Sequence, residues 1–285
     1  MSIGLSLSGG GAKGAAHIGV LQALADEGIE IDYIAGTSSG SIVATLFAAG
    51  YKPKEILNLF NNYCKYISDY DKKIPFKLIS SCFTGRLNIQ GLVKGDNLEN
   101  LMRKYCYLKD IKNIMDIEMP IVIPAVDITT GEIIYFTNRI NRNFDDMPTI
   151  KTSADIASIV RASCSFPGIF VPKVIDDKVL VDGGVRDNSP NEILKKMGAD
   201  KIISVEFEDN KYMMKPINNI IDITLQSFDI LSHQASVSCD EIADVKIVPQ
   251  LNQVSLLECN KSREIAKQGY IATKKSMNAI KELLV

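Results

Sequence analysis

The chain has 285 residues, 46% of them hydrophobic, and a formal net charge of −2. That length and apolar content can bury one large core or two modest ones, and the charge leaves no overall basic field to draw nucleic acid or anionic lipid. The six cysteines (Cys64, Cys82, Cys106, Cys164, Cys239 and Cys259) form no C-x-x-C pair and no zinc spacing, so free thiols in a reducing compartment are expected and no metal site is. No apolar run approaches the roughly 18 residues of a membrane span, and no signal peptide precedes the first strand-like run. The expectation is a cytoplasmic protein, with export by a non-classical route left open.

In chain order, Ile3–Leu7 is a short apolar run that ends at glycines. Ala12–Glu27 follows with the helical spacing of Ile18, Leu21 and Leu24. Tyr33–Ala35 is a second apolar run ending at Gly36, and Ser39–Ala49 reads as a buried helix closed by Gly50. Strand, glycine turn and helix, repeated, predict parallel strands with right-handed crossovers. The stretch Tyr63–Leu92 breaks the pattern: Tyr63, Tyr66, Tyr70, Phe76, Leu78, Ile79 and Phe83 mix with lysines at no sustained period. It reads as a lid or insertion with a possible role in transient membrane-surface contact. Pro120–Val126 and Ile133–Thr137 predict a hairpin about Thr129-Thr130-Gly131. Val179–Val181 is a strand leading into Asp182. Ser189-Pro190-Asn191-Glu192 reads as a serine-capped helix start. Ile202–Val205 and Val245–Val248 complete the strands, and Lys261–Leu284 closes the chain as one amphipathic helix. The expected fold is α/β, a single three-layer domain with a mostly parallel central sheet flanked by helices.

Three short stretches carry the chemistry. Gly9-Gly10-Gly11-Ala12-Lys13-Gly14 offers consecutive N–H groups unobstructed by side chains. Gly36-Thr37-Ser38-Ser39-Gly40 places a serine on a tight strand-to-helix turn, and Asp182-Gly183-Gly184 supplies an exposed carboxylate at a strand end. Together they are an oxyanion site, a nucleophile and a base, the minimum for serine acyl transfer. Each is weak alone, since small residues are common in any strand-to-helix turn and Asp-Gly-Gly also forms plain turns.

Two rival readings use the same residues. Gly9, Gly11 and Gly14 satisfy the G-x-G-x-x-G dinucleotide fingerprint, with Asp32 near the distance of a ribose-binding acid. Asp32, however, precedes the second strand, whereas that acid stands at the strand's carboxyl end. A phosphate-binding loop fails because Gly14 and Ala15, not Ser or Thr, follow Lys13. For the base, His233 would complete the order Ser, Asp, His, but Ile230–Ala235 reads as helix, and His17 reads as a packed or capping residue. A dyad of Ser38 and Asp182 explains the sequence better.

The set resembles the patatin-like phospholipase family. The glycine run is similar to that family's oxyanion motif, Gly36–Gly40 to its elbow and Asp182-Gly183-Gly184 to its D-G-[AG] motif. Ala162-Ser163-Cys164-Ser165-Phe166-Pro167 with Phe170 and Pro172, and Asn188-Ser189-Pro190, extend the likeness over roughly residues 3–200. Arg186 and Asp187 read as ordinary loop residues. The resemblance implies a catalytic core over 3–200, completed within the same domain by 201–285. It implies Ser38 as nucleophile, Asp182 as base, and Gly9, Gly10 and Gly11 as the oxyanion hole, supported by Lys13, Gly14, Gly36, Gly40, Gly183 and Gly184. It further implies a lipid ester substrate (a phospholipid, lysophospholipid or acylglycerol) and no cofactor or metal. A catalytically silent lipid-binding module carrying the same motifs is the alternative from another class, and reaction with a fluorophosphonate separates the two.

Overall fold

The computed structural model describes residues 1–66, 89–140, 149–207, 217–218, 220–237, 242–251, 254 and 261–284, with only the backbone of 63–66, 220, 221, 225, 229 and 233–237. Its elements are β1 (Ile3–Leu7), α1 (Ala15–Asp26), β2 (Tyr33–Gly36), α2 (Ser39–Ala48), α3 (Pro53–Tyr66), α4 (Asp96–Tyr107), β3 (Ile121–Asp127), β4 (Ile133–Thr137), β5 (Ile150–Lys151), α5 (Ile156–Ser163), β6 (Lys173–Ile175), β7 (Lys178–Asp182), α6 (Asn191–Met197), β8 (Lys201–Val205), α7 (Ile220–Val237), β9 (Val245–Ile247), α8 (Ser262–Lys275) and α9 (Met277–Glu282).

The strands form one sheet in the order β5-β4-β3-β2-β1-β8-β9. From β3 to β9 every neighbour on that path is parallel. Both faces are covered, which is why β1 is buried at all five positions instead of alternating. Successive residues still face opposite ways. Ile34 and Ile203 join the cluster that includes Leu21, Leu24 and Leu46 of α1 and α2, while Ala35 and Ile202 pack with Ile193, Leu194 and Met197 of α6. The chain is thus a single α/β domain with a mostly parallel sheet between helices. Near its end, α8 crosses α1 where Gly19 faces Ala266 and Gly269 faces Ala16, an approach so close that a Cβ on either glycine would meet backbone oxygen.

One departure from parallel order builds the site. Ile34 and Ala35 of β2 pair with Ile121 and Val122 of β3. Further along the same edge, Leu180, Val181 and Asp182 of β7 pair antiparallel with Asp127, Val126 and Ala125. The opposite edge of β3 is taken by β4. So β7 runs back along β3 toward the end of β2, and the carboxyl ends of β2 and β7 meet.

Several local expectations change. Gly11–Gly14 forms a 3-10 turn before α1, so the helix starts at Ala15 and not Ala12. Gly11 needs a φ of +57° there, which favours glycine over any residue with a Cβ. Ser189 does not cap α6: the Asn191 N–H bonds the Ser189 carbonyl, Pro190 occupies the cap position, and no side chain caps the helix. The last helix is two, because Ser276 at ψ near 0° ends α8 and Met277 and Ile280 of α9 turn into the core.

Candidate active site

The first motif starts where β1 ends. Ser8 N–H bonds the Val205 carbonyl of β8, and the Ser8 carbonyl accepts the Nε2–H of buried His17 at 2.8 Å. Burial lowers the His17 pKa to about 4, against the opposing effect of the Ser8 carbonyl, so the ring is neutral and packs on Phe207. Phe207 in turn lies against Gly10, where a Cβ would sit 2.5 Å from its ring. Gly9 N–H is engaged by Asn188, at 3.1 Å to Oδ1 and 3.4 Å to the carbonyl. Gly10 and Gly11 N–H groups make no hydrogen bond among the described residues. Lys13 is buried in the 3-10 turn.

Ser38 takes φ +51° and ψ −123°, a strained conformation for a residue with a side chain, between β2 and the start of α2. Its backbone is held on every side. Ser38 N–H donates to Ser163 Oγ at 3.0 Å, Ser41 Oγ donates to the Ser38 carbonyl at 2.6 Å, and Thr37 Oγ1 donates to the Asp187 carbonyl at 3.0 Å. The flanking glycines are required by contact. A Cβ on Gly40 would lie 2.2 Å from the Leu7 oxygen, one on Gly36 2.5 Å from the Gly40 oxygen, and one on Gly14 2.5 Å from Ser39 Oγ.

Asp182 comes in from the facing strand. It is 1% exposed, so the carboxylate is buried and not exposed as the sequence suggested. The antiparallel placement of β7 against the middle of the sheet explains this, because its carboxyl end points into the layer between strands and helices. Oδ1 accepts the Gly184 N–H at 2.9 Å, whereas Oδ2 has no hydrogen-bond partner among the described residues. Burial raises the pKa to about 7, with the nearby Ser38 hydroxyl and the Gly184 N–H acting in the opposite direction. Asp182 N–H bonds the Ser165 carbonyl, and the Ser165 hydroxyl receives Nη1 of Arg161 at 2.6 Å. Arg161 is itself 2% exposed and fills the space over Gly95. Gly183 packs on the Pro124 oxygen, and α7 closes over Gly184 through Phe228 and through Ser232 Oγ, which donates to the Gly184 carbonyl.

All three predicted motifs are therefore brought together at the carboxyl ends of β1, β2 and β7. Asp32 is not among them. It accepts Ile3 N–H at 2.7 Å at the amino ends of β1 and β2, the far edge of the sheet from the glycines, which removes the ribose acid of the dinucleotide reading. His233 lies within α7, its side chain outside the described residues, as are residues 67–88 of Tyr63–Leu92. Cys106 and Cys164 are buried free thiols, and the side chains of the other four cysteines are also outside the described residues. No group of three or more metal-ligating side chains is assembled among the described residues, and none of their helices is long and apolar enough to cross a membrane. The sequence reading missed Asp187 and Arg161. Asp187 is buried, takes the Tyr135 hydroxyl on Oδ2 at 2.7 Å, and is pushed up to about 6 by desolvation.

The family model described as patatin-like phospholipase matches residues 5–195, which include every one of these motifs. The chain belongs to the patatin-like phospholipase family. Among its relatives, lysophospholipase NTE1 of Meyerozyma guilliermondii is 27% identical over 95% of this chain, which spans 19% of that protein. The uncharacterized protein YqhO of Bacillus subtilis is 32% identical over 70% of this chain and 68% of its own length. The crystal structure of VipD from Legionella pneumophila shares the fold, with a TM-score of 0.52 at 16% identity over 98% of this chain and 67% of VipD.

Proposed function

We propose that this patatin-like protein is a serine acyl-ester hydrolase that releases fatty acids from phospholipids, lysophospholipids or acylglycerols through Ser38 and Asp182. The observation that supports the reading is a strained, half-buried serine near a buried carboxyl whose Oδ2 has no hydrogen-bond partner among the described residues and whose pKa stands near 7. A general base works best with a pKa near the working pH, and this carboxyl has that property. Asp182 Oδ2 takes the Ser38 proton as Oγ attacks the ester carbonyl. The oxyanion is held by the N–H groups of Gly10 and Gly11 at the head of the glycine turn, with Gly9 serving by its small size beside Ser38 Cβ. Asp182 returns the proton to the departing alcohol, leaving acyl-Ser38. It then accepts a proton from the water that attacks the acyl group and passes it to Ser38 Oγ as that oxygen leaves, which frees the fatty acid and restores both residues.

The test is a panel of phospholipids, lysophospholipids, acylglycerols and short p-nitrophenyl esters, with wild type and Ser38→Ala. Fatty-acid release by the wild type, lost in Ser38→Ala at unchanged Tm, is the expected result. Turnover retained by Ser38→Ala would sink the assignment.

A further inference from the structure

The loop after Asp182 ends in Asn188, which fastens the acid-bearing segment to the glycine turn. Its side-chain oxygen accepts Gly9 N–H, and only the oxygen of a carboxamide can accept. That bond fixes which way the amide lies, with Oδ1 toward Gly9 and the NH2 group on the other side. The oxygen sits at the junction of all three motifs. A Cβ on Gly9 would lie 2.6 Å from it and 3.1 Å from Ser38 Cβ, and a Cβ on Gly184 would lie 3.0 Å from it and 3.2 Å from Asp182 Oδ1. The carboxamide oxygen therefore lies against Gly9 and Gly184, the two glycines that adjoin Ser38 Cβ and Asp182 Oδ1. Asn188 is half-buried, and its NH2 group donates no hydrogen bond among the described residues.

We infer that Asn188 is a further catalytic residue, whose side-chain NH2 donates to the ester oxygen as negative charge develops over Ser38, beside the Gly10 and Gly11 N–H groups. The inference rests on the acyl-serine reading above. Physically it answers a shortage: the Gly9 N–H faces Asn188 and so cannot point at the substrate, while a pre-oriented carboxamide is a donor that needs no rearrangement.

The experiment compares oxygen esters with thionoesters, because sulfur is a weak acceptor and a thiono substrate gains little from an oxyanion donor. Asn188→Ala should lower kcat on a p-nitrophenyl ester by about 10²–10³ with KM changed only a few-fold. Its ratio of oxygen-ester to thionoester rates should fall by about tenfold or more against wild type. Asn188→Asp keeps the acceptor for Gly9 N–H and the shape of the side chain, and should show the same fall in ratio. A clasp that only orders the loop would slow both substrates equally, so an unchanged ratio in both variants overturns the inference whatever the absolute loss. The two readings fail separately. Turnover independent of Ser38 removes the acyl-serine chemistry and this donor with it, whereas Ser38-dependent turnover at an unchanged ratio removes the donor alone.

Discussion

Around Ser38 the chain is held by close glycine contacts and neutral hydrogen bonds, whereas around Asp182 it is held in the company of buried acids. Gly36 and Gly40 press on backbone oxygens, and nothing ionisable takes part in that packing. On the other side two acids, Asp182 and Asp187, are both buried and both raised, to about 7 and about 6. Both regions define positions closely, but they do so at different cost. The glycine side is maintained by close packing and is indifferent to pH. The acid side keeps desolvated carboxyls in place, so its contribution to stability depends on pH.

The sharpest way to break the comparison is Asp182→Asn. The amide preserves size and the acceptor for Gly184 N–H but cannot take a proton, so kcat should fall by about 10²–10⁴. Stability should move the other way. Because the folded pKa is raised above the ordinary 3.8, the native state holds a proton that the unfolded chain has lost between about pH 4 and 7. Asp182's contribution to stability is thus present at low pH and lost as pH rises through about 7. Asparagine escapes that loss, so Asp182→Asn should show a higher Tm than wild type at pH 8, with the gap narrowing at pH 5. A lower Tm at pH 8 would mean that the ionised carboxylate is stabilised by partners the desolvation argument omits.

A substitution on the glycine side should behave oppositely. Gly40→Ala places a Cβ against the Leu7 carbonyl, an overpacking that costs about 3 kcal/mol or more. Thermal melts should show that loss equally at pH 5 and pH 8. A Tm decrease that varied with pH would erase the distinction between the two regions.

How far the sequence discloses the site follows the same division. The glycine run, the Ser38 turn and their flanking helices are strand-turn-helix units, each written in consecutive residues, and the reading of β1, β2 and α2 needs only local periodicity. Asp182 is recognisable as a residue but not as a buried one. Its environment depends on β7 lying antiparallel beside β3, a pairing between segments more than 50 residues apart that no local pattern encodes. Asp187 looks like loop chemistry for the same reason, since its burial comes from Tyr135 on β4 and Thr37 beside Ser38. Arg161 carries a faint signal, a lone charge on the apolar face of α5. The failed serine cap at Ser189 is a case where the turn after Asp182 overrides a good local helix signal.

The central claim is that Asp182 activates Ser38, and the most direct measurement is the rate of fluorophosphonate labelling of Ser38 against pH, in wild type and Asp182→Asn. The wild-type rate should rise with pH through about 7, following ionisation of the buried carboxyl. The Asp182→Asn rate should be slower by about two orders of magnitude or more and show no such rise. Equal labelling rates in the two proteins, or the same inflection persisting without the carboxyl, would contradict the account.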